Sequence, residues 1–171
     1  LQKLCRQNQR LSFLALPTRY MMEHGPALNY LHALASDEPY FCFMDSDIYA
    51  TGEFMSEFMA LLIEHTGVFS GYPLWIAPDR LSVSQRDWGI HGHHHQTPTG
   101  ICIGTTYFAI YNNPYLRETM QAAAIDFQHY FWQDLPEFRQ RQLIESGLQY
   151  ARYDTAKMLN LSLVERGHAL A

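Results

Sequence analysis

Two carboxylates, Asp45 and Asp47, stand one residue apart in the stretch PYFCFMDSDIYATGEFM. On an extended backbone, side chains at such spacing leave the same side, so both can approach one hard cation that also bridges phosphate oxygens. The same two residues have a plainer reading, because acidic pairs after strands also form turns or cap the helix that follows. A second cluster, His91, His93, His94 and His95, falls within five consecutive positions. Imidazoles at that density suit a borderline metal such as Zn²⁺ or a proton acceptor. Against this, neighbouring side chains of an extended chain point apart, and loops tolerate incidental histidines.

These groups need a scaffold. Residues 40–44 (YFCFM) carry aromatics without polar alternation, as expected of a parallel strand covered on both faces, and they deliver the acidic pair to a carboxyl edge where α/β sheets bind ligands. Ahead of them, residues 10–16 (RLSFLAL) form an apolar run closed by Pro17 and read as a buried strand. Between the two, Gly25-Pro26 opens a helix with Ala27, Leu28, Leu31, Leu34 and Ala35 at helical spacing. Strand, helix and strand predict a right-handed βαβ unit.

Beyond the acidic pair, residues 51–65 read as an amphipathic helix carrying Phe54, Phe58, Leu62 and Ile63 on one face. Residues 68–76 follow as a strand bent by Gly71 and Pro73, and residues 77–99 form a long polar loop. Residues 101–111 restore strand character with Gly104 as a bulge, and Asn113-Pro114 starts a helix. Two more helices are predicted, one after Pro136 and one from near Asp154 to Gly167. The expected class is α/β, a mixed sheet flanked by helices.

Composition narrows the partners. The chain of 171 residues carries 12 basic and 17 acidic side chains, a net charge of −5, with 47% apolar and 17% charged residues. That suffices for a single folded domain. The absence of any Lys/Arg run argues against a nucleic-acid module. Cys5, Cys42 and Cys102 are odd in number and far apart, which gives no disulfide framework and predicts a reducing, cytoplasmic setting. The longest apolar stretches are too short for a transmembrane segment. The chain opens on Leu1 inside an ordered-looking segment, so a fragment of a longer protein is expected.

GPALNYLHAL followed by PYFCFMDSDIYATGEFM resembles the central stretch of glycosyltransferases of the GT-A fold, family 2-like members above all, in which a helix precedes an Asp-x-Asp strand. GICIGTTYFAIYNN and RYDTAKMLNLSLVERGH resemble the acceptor-side half and its closing helix, so the likeness spans residues 10–168. It implies a GT-A-like catalytic domain lacking its first βαβ half, with a donor and metal part at 10–76 and an acceptor part at 77–171. The implied reaction moves a sugar from a nucleotide-sugar donor to a carbohydrate or other hydroxyl acceptor, with Mn²⁺ or Mg²⁺.

By that resemblance Asp47 and Asp45 hold the metal, with Asp45 near the donor ribose and diphosphate, and Asn29 orients the metal strand or touches the donor. Asp154 takes the place of the general base of inverting members, while its position before a helix also suits an N-cap. Asn29 has its own structural reading as a hydrogen bonder within a helix. Trp88 is the candidate for stacking on an acceptor sugar, whereas Trp75, between Leu74 and Ile76, reads as core. His168 falls near a late metal-ligating histidine of some members.

Two other classes compete. A nucleotidyltransferase would consume a nucleoside triphosphate rather than a nucleotide-sugar. A non-catalytic metal-binding domain built on residues 91–95 would bind Zn²⁺ after loss of both acidic residues.

Overall fold

A computed structural model describes residues 2–72, 95–96 and 101–171. Their elements run α1 (Gln2–Gln7), α2 (His24–Leu34), β1 (Tyr40–Met44), α3 (Met55–Leu61), β2 (Gly67–Tyr72), β3 (His95–Gln96), β4 (Cys102–Ile103) and β5 (Thr105–Asn112). Then follow α4 (Asn113–Ala123), β6 (Tyr130–Phe131), a 3-10 turn at Trp132–Asp134, α5 (Glu137–Glu145), β7 (Arg152–Tyr153) and α6 (Lys157–Glu165). The architecture is α/β. Among the described residues no helix is long and apolar enough to cross a membrane.

The main sheet has the order β1-β5-β2, and both pairings are antiparallel. This corrects the expected parallel βαβ unit. Residues 10–16 are irregular and exposed, with Leu11 at 51% and Phe13 at 45% exposure. An apolar run states a preference for burial but supplies no partner ladder, and a strand without one leaves its backbone groups to water.

The strand covered on both faces is β5, whose Phe108, Ala109, Ile110 and Tyr111 are all buried. Ala109 and Tyr111 face a core shared with Phe41, Phe43, Leu28, Phe127 and the α6 residues Leu159 and Leu163. Phe108 and Ile110 face Val68, Leu62 and the aromatic rings of Phe54 and Phe58. By contrast β1 alternates, with Phe41 and Phe43 buried and Tyr40, Cys42 and Met44 turned outward. It is a rim strand among the described residues, and α3 reaches over β5 rather than over it. Residues 169–171 hydrogen-bond along β2, with Ala171 donating to the Gly67 carbonyl at 3.0 Å and Phe69 donating to the Ala171 carbonyl at 3.0 Å.

Helix lengths follow local stops. α3 is shorter than the apolar period suggested; the Glu53 carboxylate accepts the Ser56 amide at 3.1 Å and so fixes where the helix begins. α4 ends at Ala124 in a left-handed conformation, before Phe127. The expected interruption at Gly104 is present, separating β4 from β5.

A buried polar clamp sets the approach to β1. The carboxamide oxygen of Asn113 accepts a hydrogen bond from His32 Nε2 at 2.8 Å. An amide oxygen can only accept, so the imidazole carries its proton on Nε2. The Asn113 Nδ2 donates to the carbonyls of Ala35 and Glu38 at 2.9 and 2.8 Å, with that of Ser36 at 3.3 Å. The end of α2 and the turn into β1 are thereby pinned to the start of α4.

Burial pushes the His32 pKa below its usual value, and the positive charge of Arg117 adds to this, against the Asn113 hydrogen bond. The unfolded chain therefore takes up this proton first as pH falls through about 6.5, and the folded state loses stability from there downward. Thermal melts at pH 7.5 and pH 5.5 test this. The midpoint falls further in the native chain than in His32→Gln, whose amide keeps a donor but does not titrate.

Candidate active site at the exit of β1

Asp45 follows β1 and extends its ladder by one bond, its amide donating to the Tyr107 carbonyl at 2.8 Å. Its carboxylate is partly buried and lies 3.5 Å from His24 Nε2, and the His24 ring meets Phe43 edge-on at 6.0 Å. The backbone turns at Ser46-Asp47, and Asp47 is exposed. The extended geometry expected of the pair is thus replaced by a turn, the habit of Asp and Ser after a strand.

Burial raises the pKa of Asp45; His24 opposes this, while the negative charges of Asp47 and Asp154 raise it further. Asp45 therefore feels the charges of Asp47 and of Asp154, which is remote in sequence. One imidazole is the compensating group that faces Asp45.

The Phe127 peptide brings Asp154 there. Its N–H donates to Asn29 Oδ1 at 3.0 Å, and its carbonyl accepts from Ala156 N at 3.3 Å. The Phe127 ring packs on Phe41 and Phe43 beneath β1, with centroids 5.4 and 6.0 Å away. Only glycine fits at position 25 in the first turn of α2, because a Cβ there would come within 2.6 Å of Gln128 Cα and 2.8 Å of the Phe127 oxygen. Asn29 thus has the structural role weighed for it above, holding the loop that positions Asp154.

Asp154 is not a helix cap. The residue preceding α6 is Ala156, left-handed at φ 63°, and no side chain caps the helix. The Asp154 carboxylate instead accepts the Thr155 amide at 3.0 Å and lies 3.6 Å from the Arg152 guanidinium. Its carbonyl accepts the Lys157 amide at 2.9 Å, closing the turn. Lys157 is buried with its ammonium 4.5 Å from the Tyr150 ring centroid, and burial lowers its pKa to about 8 against the pull of Asp154.

His24, Arg152 and Lys157 escaped the sequence reading. The signal available for His24 was its place immediately before the Gly25-Pro26 helix start, which packs beside β1. Trp75, Trp88, His91, His93 and His94 lie outside the described residues, and of His95 the structure gives the backbone pairing with Ile103. His168 sits 3.3 Å from Thr66 Oγ1 and against Tyr115. Thr66 precedes β2, at the end of the sheet opposite Asp45, so His168 is no ligand for a metal there.

Among the described residues no group of three or more His, Cys, Asp or Glu side chains is arranged to hold a metal. The donors at the exit of β1 are the carboxylate oxygens of Asp45, which faces His24, and of the exposed Asp47. In ligand type these oxygens suit Mg²⁺ or Mn²⁺, which bind through one or two carboxylates and complete their shell with phosphate oxygens and water. No family model, curated protein or solved structure matches this chain.

Proposed function

We propose that the chain is the metal-binding and acceptor-side part of a GT-A-like glycosyltransferase. The observation that carries the reading is the position of Asp45 and Asp47 directly after β1, with the charge of Asp154 felt at Asp45. Asp47 and Asp45 would hold Mn²⁺ or Mg²⁺, which when bound stabilises the charge of a departing nucleoside diphosphate. Asp154 takes the proton of the acceptor hydroxyl. The freed oxygen bonds to the anomeric carbon as that carbon's bond to the diphosphate oxygen breaks, and the electron pair leaves with the diphosphate. Arg152, 3.6 Å from the Asp154 carboxylate, orients the base, and His24 meets both the Asp45 carboxylate and the Phe43 ring.

Calorimetric titration with UDP and with GDP, each with and without MnCl₂, tests the metal role. Binding is expected to require Mn²⁺ and to weaken by about tenfold or more in Asp47→Ala, the loss of one charged ligand. Unchanged affinity in that variant removes Asp47 from the site. Turnover of a nucleoside triphosphate in place of a nucleotide-sugar would move the chain to the nucleotidyltransferases.

A further inference from the structure

On the sheet face that carries α3 lies a cavity of about 360 Å³. That volume is at the small end of the range of roughly 300–1,000 Å³ typical of small-molecule sites. Met44 and Ile48 both line it, and these are the residues on either side of Asp45-Ser46-Asp47. The cavity is therefore continuous with the loop that carries the acidic pair.

Its chemistry is one-sided. Phe54, Phe58 and Phe108 line it and meet edge to face, with centroids 4.9 to 5.6 Å apart. Phe108 is held rigidly in β5, and Tyr49 stands 84% exposed at the margin. Ser70 and Thr51 add hydroxyls. Among the described residues no Lys, Arg or His lines the cavity, and the one carboxylate among them, Glu53, is engaged by the amide and hydroxyl of Ser56. A phosphate would find no counter-charge here, and a cation would have to displace the Ser56 contacts. A neutral molecule with an apolar body and hydroxyl groups meets a partner at every wall.

We propose that this cavity binds a neutral alcohol with an aromatic or hydrocarbon body. The binding of such an alcohol does not rest on the sugar-transfer reading.

The test follows the ¹³C-methyl resonance of Met44, identified by its loss in Met44→Leu, during titration with 4-nitrophenyl β-D-glucopyranoside. A saturable shift is expected, with affinity about tenfold or more above that of methyl β-D-glucopyranoside and of 4-nitrophenyl phosphate. Ser70→Leu, an exposed position on β2 whose new side chain fills the cavity, should weaken it by a similar factor. Absence of a saturable shift, indifference to Ser70→Leu, or equal affinity for the phosphate overturns the assignment. The Mn²⁺–UDP titration on the same samples separates the two ideas. Its failure beside an intact Met44 response overturns sugar transfer and leaves a neutral-alcohol site, and the reverse pattern overturns the cavity alone.

Discussion

Asp154→Asn is expected to lower turnover by about 10²- to 10⁴-fold while leaving the thermal midpoint nearly unchanged, the range expected for loss of a general base. The two halves of this expectation have separate grounds. The amide keeps an oxygen for the Thr155 N–H, and because Ala156 rather than Asp154 precedes α6, no helix cap is lost. The ion pair with Arg152 is long and partly exposed, of a kind worth about 0–1 kcal/mol. An amide cannot accept the acceptor's proton, and this is the loss that reaches the rate. Release of nucleoside diphosphate from a nucleotide-sugar, followed with saturating Mn²⁺, measures it. A variant that turns over at the native rate, beside an Asp154→Ala that only melts earlier, would reduce Asp154 to a turn residue.

The sequence reading and the structure agree where the signal is local. Gly25-Pro26 and Asn113-Pro114 announce helix starts, YFCFM announces a strand, and Gly104 and Gly167 announce interruptions. They part where the answer depends on a distant partner. YFCFM and the YFAIY stretch of β5 are both continuous apolar runs, and nothing local says that the second is central and the first a rim strand. Residues 10–16 carry the same apolar signal and form no strand at all, because pairing is decided by a neighbour that the run itself does not specify.

The site divides in the same way. The acidic pair is visible as spacing, although its turn geometry is not. The segment carrying Asp154 is tied to α2 through Phe127, whose N–H reaches Asn29 and whose carbonyl reaches the Ala156 amide, a contact between segments remote in sequence. Such a contact has no period and no motif. Asn29 illustrates this: its carboxamide oxygen accepts the Phe127 amide, on the loop whose carbonyl meets the Ala156 amide.

The second large effect is on stability. Asn113→Leu is expected to cost about 3 kcal/mol, because it leaves the buried His32 Nε2–H without its acceptor and frees the carbonyls of Ala35 and Glu38 from their donor. For a chain of this length that lowers the midpoint by about 10 °C. The added variant His32→Leu removes the orphaned donor, so the double change should cost less than the sum of the singles, and a thermodynamic cycle measures the coupling. The clamp lies at the start of β1 and the acidic pair at its exit, so below its lowered midpoint Asn113→Leu should bind Mn²⁺–UDP as the native chain does. Loss of nucleotide affinity without loss of stability would mean that the turn ahead of β1 is itself part of the site. Because Asn113 fixes where β1 begins and the Phe127 peptide fixes what meets its end, the strand is located independently at both ends, and that double anchoring lets a rim strand hold a charged motif steady.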